Sequence, residues 1–253
     1  SYLGYGGLLW LFTRKPVRQK KQLTDEQWPA VTIIIAAYNE AAILDQKISN
    51  TVSIDYPAHR FKILVVTDGS TDESAALVSR YPSVKGIHYP ERKGKYAAIR
   101  HAMKEVDTPL VVFTDANTLL NPECIKRIVP HYQDPAVGGV AGEKKIRVDA
   151  QNSAVGQAEG LYWRYESFMK KMDARFFTVV GAAGELFSIR TALFTPAKEE
   201  WILDDFMMAM HICLQDYKMA YEPGAYATEA PSVSLAEEQK RKIRIAGGAY
   251  QAA

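Results

Sequence analysis

At 253 residues the chain is long enough to bury the core of one large α/β domain or two small ones. Its apolar share of 47% and charged share of 24% are ordinary for a folded soluble domain and argue against a disordered chain. A formal charge of +2 is too small to point to nucleic acid, and no such partner is expected.

The first stretch, "SYLGYGGLLWLFT" (residues 1–13), has no charge, and "RKPVRQKK" (14–21) has five basic residues and no acid. Thirteen helical residues span roughly 20 Å, short of the ~30 Å hydrocarbon core of a bilayer. Gly4, Gly6 and Gly7 disfavour a soluble helix but are commoner in membrane ones. Residues 1–22 are therefore expected to be the end of a truncated membrane helix with its cytosolic basic flank. A short packed helix followed by a solvated basic loop is the alternative. A signal peptide fits less well, because its charge should precede the apolar stretch. Cys124 and Cys213 lack metal-ligand spacing and read as reduced core residues.

"AVTIIIAAYNE" (30–40) has the continuous β-branched run of a strand covered on both faces, and "AAILDQKISNTVSI" after it reads as a helix. "FKILVVTDGSTDES" (61–74) repeats the plan, leading into a helix through "AALVSRY". A short strand and basic loop follow in "KGIHYPERKGK", then the helical "YAAIRHAMKEV" and the strand "LVVFTDAN". This alternation predicts a Rossmann-like, mostly parallel sheet flanked by helices. From "VGGVAGEKKIRV" (137–148) the rhythm changes: a strand, an amphipathic helix in "VGQAEGLYWRYESFMKKM", then a Gly-rich turn and strand in "GAAGELFSIRTALF". This C-terminal half is expected to cover one end of the sheet. Without a long Gly/Ser/Pro linker, residues 23–231 read as one domain, followed by a basic amphipathic membrane-proximal segment at 232–253.

Ligands of open parallel sheets bind beyond the carboxyl ends of the strands. Three polar clusters fall there: Tyr38-Asn39-Glu40, Asp68 to Asp72, and Asp115-Ala116-Asn117. No G-x-G-x-x-G follows the first strand and no P-loop occurs, which disfavours a dinucleotide-binding dehydrogenase and a P-loop phosphotransferase. Asp68 and Ser70 can be helix caps, and so can Asn117, with Pro122 in a following first turn. Acids and amides at successive strand ends, with Arg92, Lys93 and Lys95 nearby, suit a diphosphate that carries a metal ion.

The ordered set "AAYNE", "VTDGSTD", "ERKGK", "FTDAN", "GAAGELFSIR", "LDDF" and "EEQKRKIR" strongly resembles the family 2 glycosyltransferases, and most closely their membrane-attached members. The likeness covers roughly residues 29–245. It implies the GT-A fold and an enzyme that moves a sugar from a nucleoside-diphosphate sugar, here a UDP-sugar, to a glycan or lipid-linked acceptor with inversion. Ala37, Tyr38 and Glu40 would border the base and ribose, Asp68 would bind the uracil, and Lys93 and Lys95 would lie near the phosphates. Asp115 and Asn117 take the family's D-x-D positions for the donor and a divalent cation, and oxygen ligands suit Mg²⁺ or Mn²⁺. Asp205 falls where the family's general base lies, preceded by Asp204.

On the acceptor side the resemblance points to Gly181, Gly184 and Glu185, with a salt bridge to a nearby Arg as the other reading of Glu185. Tyr162, Trp163 and Tyr165 can stack on acceptor sugars or simply belong to the core. Gln239, Arg241 and Lys242 stand where the family often carries Q-x-x-R-W; the Trp is missing, which weakens the case for a processive polymer synthase. Together with Arg244 they can contact phosphates or form a basic interfacial helix. The membrane-attached members imply a catalytic domain on the cytoplasmic face. Two other classes remain open: a nucleotidyltransferase that releases pyrophosphate, and a non-catalytic nucleotide-binding subunit of a membrane polysaccharide assembly.

Overall fold

The structure is a computed structural model that describes residues 2–13, 23–146, 154–179, 181–182, 184–196, 201–229, 239, 243–248 and 250. Within these, the side chains at 2, 3, 5, 6, 8, 146 and 154–164 lie outside the description. The first half runs α1 (Tyr2–Phe12), β1 (Val31–Ala37), α2 (Ala41–Val52), β2 (Phe61–Asp68), α3 (Ser74–Val78), β3 (Val84–Tyr89) and α4 (Lys95–Ala102). It continues with β4 (Leu110–Asp115), β5 (Thr118–Leu120) and α5 (Cys124–Ile128). The second half is β6 (Val137–Ile146), α6 (Ala154–Phe176), β7 (Phe187–Arg190), α7 (Asp204–Leu214) and β8 (Lys218–Glu229).

One sheet of eight strands orders them β3-β2-β1-β4-β7-β6-β8-β5. Strands β3, β2, β1 and β4 are parallel, as the alternating pattern predicts. Successive residues of each point to opposite faces. Ile33, Ile35, Val65 and Val112 pack against Leu44, Ile48 and Ile125 from α2 and α5. Ile34, Leu64, Val66 and Val111 pack against Tyr96, Ile99 and Ile212 from α4 and α7. Two cores, one on each face, explain why these strands are hydrophobic throughout. Pairing Ala36 with Asp115, Ala37 with Thr67 and Asp68 with Tyr89 brings the polar ends of β1, β2 and β4 to one edge.

The second half extends the same sheet. β7 lies antiparallel to both β4 and β6, β8 runs parallel to β6, and the short β5 is antiparallel to β8. The β6–β8 ladder shifts register between Ala141 and Glu143, which lets Pro223 and Gly224 sit in the middle of β8. The apolar N-terminal stretch folds as α1 against α6, with Phe12 and Phe176 rings 6.3 Å apart and Thr13 Oγ1 3.2 Å from Met172 Sδ. Trp10, Leu11 and Phe12 remain exposed. Among the described residues no helix is long and apolar enough to cross a membrane. Cys124 is buried, Cys213 is half-buried, and both are free thiols.

Candidate active site

The polar loops at the sheet's carboxyl edge are tied to one another. Asn39 holds a left-handed backbone (φ 53°) and accepts from the Thr71 amide at 2.8 Å, while Ala41 N–H donates to Asp72 Oδ2 at 2.9 Å. Glu40 N–H donates to Ser74 Oγ at 3.0 Å, so the second loop satisfies the orphan amides at the start of α2. Asp68 does not cap the helix that follows it. Its carboxylate accepts from Lys93 N at 3.0 and 3.1 Å and from Gly94 N at 2.7 Å, fixing the basic loop above the edge. Gly69 sits at φ +66°, and a Cβ there would lie 2.4 Å from the Arg92 backbone nitrogen.

A pocket of about 260 Å³ opens between these loops, lined by Ala37, Tyr38, Glu40, Asp68, Arg92 and Lys95 among others. The Arg92 guanidinium stacks on the Tyr38 ring at 3.8 Å, making a flat cationic wall. Burial, then the charges of Asp115 and Asp72, raise the Glu40 acid above the usual carboxylate range. Lys93 contributes its backbone; its ammonium points to Glu91 at 3.6 Å and is absent from the residues lining either pocket.

A larger cleft of about 750 Å³ adjoins this pocket and shares Lys95, Asp115, Asn117 and Arg244 with it. Lys95, the first residue of α4, places its ammonium 2.6 Å from Asp115 Oδ1 and 3.7 Å from Asp204 Oδ2. Burial alone would lower that ammonium's pKa; Asp115 and Asp204 outweigh it and hold the pKa above the ordinary lysine value. Asp204 and Asp205 open α7. Burial, then Asp115, raise the Asp204 acid, and its Oδ2 is a buried atom with no hydrogen-bond partner. Asp205 Oδ1 accepts from Phe206 N at 2.8 Å. Burial, then the charge of Asp204, push the Asp205 acid up to about 6. A Cβ on Gly184 would meet Asp205 Oδ2 at 3.1 Å and Lys95 Nζ at 3.2 Å, so any larger residue there would crowd both groups.

Asn117 is not a helix cap. Its Nδ2 donates to Glu229 Oε1 at 3.0 Å, across the β4–β5 turn from the end of β8. Lys144, buried in β6, ion-pairs with both Glu185 and Glu229. Among the described contacts, the salt-bridge partner of Glu185 is Lys144. Since the amide nitrogen is committed to Glu229, its oxygen is the atom left to serve a ligand beside Asp115. This all-oxygen set fits a hard divalent cation. Among the described residues no group of three or more His, Cys, Asp or Glu side chains forms a metal cluster, so phosphate and water would have to complete the shell.

Phe206, Leu203 and Ile202 add an apolar wall to the cleft, while Glu166 and Lys170 of α6 line its other side. Trp163 lies in α6, but its side chain is outside the description, as is that of Tyr162. Gln239 is an exposed helical residue away from both pockets. Arg241 and Lys242 lie outside the described residues; Arg244, further along the tail, lines both pockets. Reasoning from sequence missed Lys144 and Glu229. Lys144 sits in the charged run Glu143-Lys144-Lys145 near the end of β6 and reads there as a solvated surface, while Glu229 ends a strand that the sequence did not predict.

A parallel half-sheet with acids at its edge, joined to an antiparallel half that carries a second acidic pair, is the architecture of GT-A glycosyltransferases. Residues 32–195 match the family described as Glycosyl transferase family 2, and the chain belongs to that family. It is similar to the poly-beta-1,6-N-acetyl-D-glucosamine synthase of Staphylococcus aureus, 23% identical over 97% of this chain and 61% of that one. It is also similar to the beta-monoglucosyldiacylglycerol synthase of Synechocystis sp., 26% identical over 88% of this chain and 48% of that one. The chain therefore spans 61% and 48% of the lengths of these two relatives. Among solved structures, the mannosyltransferase PcManGT from Pyrobaculum calidifontis, in complex with GDP-Man and Mn²⁺, superposes with a TM-score of 0.76. That match has 24% identity and covers 92% of this chain and 66% of the other. S. aureus TarS 1-349 with UDP-GlcNAc gives a TM-score of 0.63 at 18% identity, over 81% of this chain and 59% of that one.

Proposed function

We propose that this chain is the catalytic part of an inverting glycosyltransferase that moves a sugar from a UDP-sugar to a glycan or lipid-linked acceptor. The observation that carries the reading is the junction of the two pockets at Lys95, Asp115 and Asn117, with Asp205 beside it. The smaller pocket suits a nucleoside: Arg92 stacked on Tyr38 offers a flat face, and Ala37, Glu40 and Asp68 line the rest. The larger cleft suits the sugar and acceptor, with Gly184, Glu185 and Asp204 along its wall. Nucleotide sugars bound to the two structural neighbours support a donor of this class.

A Mg²⁺ or Mn²⁺ held by Asp115 and Asn117 would neutralise charge on the departing diphosphate, an effect worth several kcal/mol. Lys95 releases Asp115 and pairs with a phosphate oxygen. Asp205 takes the proton from the acceptor hydroxyl as that oxygen bonds to the anomeric carbon, opposite the breaking bond to the diphosphate. Its raised pKa suits this work, since a base acts best when its pKa lies near the working pH. Inversion follows from attack on the opposite face.

Residues 1–22 are proposed as membrane anchor and basic flank, 23–231 as the transferase domain on the cytoplasmic face, and 232–253 as a membrane-proximal segment. The exposed Trp10, Leu11, Phe12, Phe176 and Phe177 support a surface that meets lipid. The reading is tested by a panel of UDP- and GDP-sugars with Mg²⁺ or Mn²⁺, following release of nucleoside diphosphate with and without membrane extract. Release of UDP that ceases in Asp205→Asn while UDP binding persists is the expected result. Pyrophosphate release from a nucleoside triphosphate and a sugar phosphate would replace it with nucleotidyl transfer. Donor binding without turnover in the native chain would replace it with a binding subunit.

A further inference from the structure

Lys47 is fully buried in the middle of α2 and lines neither pocket. Lysines are almost never enclosed in this way unless their charge is used. The neighbours on the same helix face are Leu44, Ile48 and Thr51, so an apolar residue at 47 would continue the stripe without enclosing a charge. The ammonium instead donates to Thr114 Oγ1 at 2.8 Å, to Thr118 O at 2.8 Å and to Thr118 Oγ1 at 3.4 Å.

Each threonine passes its own proton onward. Thr118 Oγ1 donates to the Asp115 carbonyl at 3.1 Å, and Thr114 Oγ1 donates to the Glu185 carbonyl at 2.8 Å. Two chains therefore leave one nitrogen: one ends on the turn that carries Asp115 and Asn117, the other on the Gly184–Glu185 segment. Asn50, one turn further along α2, grips the same region, donating to Leu120 O at 3.0 Å and accepting from Leu120 N at 2.8 Å.

We propose that Lys47 is a positioning residue: from behind the sheet it fixes the Asp115–Asn117 turn relative to the Gly184–Glu185 segment, and so sets the distance between the donor and acceptor sides of the cleft. This role rests on the reading of the cleft given above. The three acceptors are neutral oxygens, so the arrangement supplies directed hydrogen bonds and not an ion pair. Burial pulls the ammonium down to about 7, and the field of Asp115 works against that loss of charge. A lysine buried at this cost, bonded only to Thr114 and Thr118 among the described residues and reaching the Gly184–Glu185 segment through the Thr114 hydroxyl, is out of place in a merely structural helix.

The test measures UDP binding by calorimetry, with and without Mn²⁺, for the native chain, Lys47→Met, Thr118→Val, the double variant and Asp115→Asn, with melting temperatures alongside. In Lys47→Met the tightening of UDP by Mn²⁺ should fall about tenfold, while UDP affinity without Mn²⁺ changes less than about twofold. Thr118→Val should move the same ratio, and the double variant should be no worse than the worse single, because both act along one chain. A structural role alone would lower the melting temperature, leave the Mn²⁺ ratio intact and give additive effects; that outcome overturns the proposal. If Lys47→Met does not fold, Thr118→Val and Thr114→Val decide, and an unchanged Mn²⁺ ratio in both overturns it. A native chain whose UDP binding ignores Mn²⁺, like Asp115→Asn, overturns the cation reading of the cleft and this role with it. A native response that survives in folded Lys47→Met overturns this role alone.

Discussion

Asp205→Asn should make the protein more stable and almost inactive, and both effects follow from where the carboxylate sits. Burial and the neighbouring Asp204 raise this acid from 3.8 to about 6. An acid whose pKa is higher in the folded state favours folding while it is protonated. That contribution is complete below the unfolded value and is lost as pH rises through about 6. At pH 8 the native chain therefore carries a charge disfavoured by roughly two pKa units, an upper limit of ~3 kcal/mol at about 1.36 kcal/mol per unit. Because the cleft is open to water, a realistic relief is about 1–3 kcal/mol, or roughly 3–8 °C in Tm for a chain of this size. Asparagine keeps an oxygen for the Phe206 amide, now 2.8 Å away, so no donor is orphaned. Turnover should fall by about 10²–10⁴, the usual worth of a positioned base. Paired melts at pH 8 and pH 4 with UDP-release assays check this, and native kcat/KM should rise with pH through about 6. Equal melting at pH 8, a gain that persists at pH 4, or near-native turnover would refute the reasoning.

Lys95→Gln removes the cation that now neutralises Asp115 at 2.6 Å, so Mn²⁺ binding without nucleotide should tighten about tenfold while UDP binding weakens, both read by calorimetry. Gly184→Ala puts a methyl 3.1 Å from Asp205 Oδ2 and 3.2 Å from Lys95 Nζ. Side-chain tips can yield, so Tm should move by less than about 2 °C while kcat falls roughly 10–100-fold through misplaced groups. Gly69→Ala combines φ +66° with backbone contact at 2.4 Å, and should lower unfolding free energy by about 2 kcal/mol or more in urea melts. Asn117→Asp, which restores the common acidic pair, should raise the Mn²⁺ concentration for half-maximal UDP release several-fold, and adding Glu229→Gln should reverse that loss.

The parallel half of the fold was readable because its signals are local. Ile33 to Ile35, Leu64 to Val66 and Val111 to Phe113 are each enclosed by helices on two faces, so no period-2 alternation dilutes them. Strand ends were readable for the same reason: Asp68 and Asp115 each follow a hydrophobic run after a single threonine. The antiparallel half was not. β8 contains Pro223 and Gly224, which read as a break, and it persists because the β6–β8 register shifts around them. β5 has three residues and exists through its pairing with β8. No local pattern announces a strand whose partner lies more than a hundred residues away. Lys93 was read as a phosphate-side residue; its backbone amide donates to Asp68 and its ammonium points to Glu91, contacts that no sequence pattern announces.

The amide at position 117 shows why one letter of a motif cannot be judged alone. An aspartate there would face Glu229 at the 3.0 Å now spanned by a hydrogen bond, and two carboxylates that close cannot both stay ionised. Lys144 cannot absorb the extra charge, because it already serves Glu185 and Glu229 together. With asparagine the nitrogen answers Glu229, so under the proposed reading the oxygen would serve the cation and the negative charge around it would come from Asp115 and Glu229. A carboxylate does stand beside position 117 in three dimensions, carried by a strand end that the chain reaches 112 residues later. Under the proposed reading the neutral residue is therefore compatible with a cation site whose charge is redistributed, and Asn117→Asp with and without Glu229→Gln tests that directly.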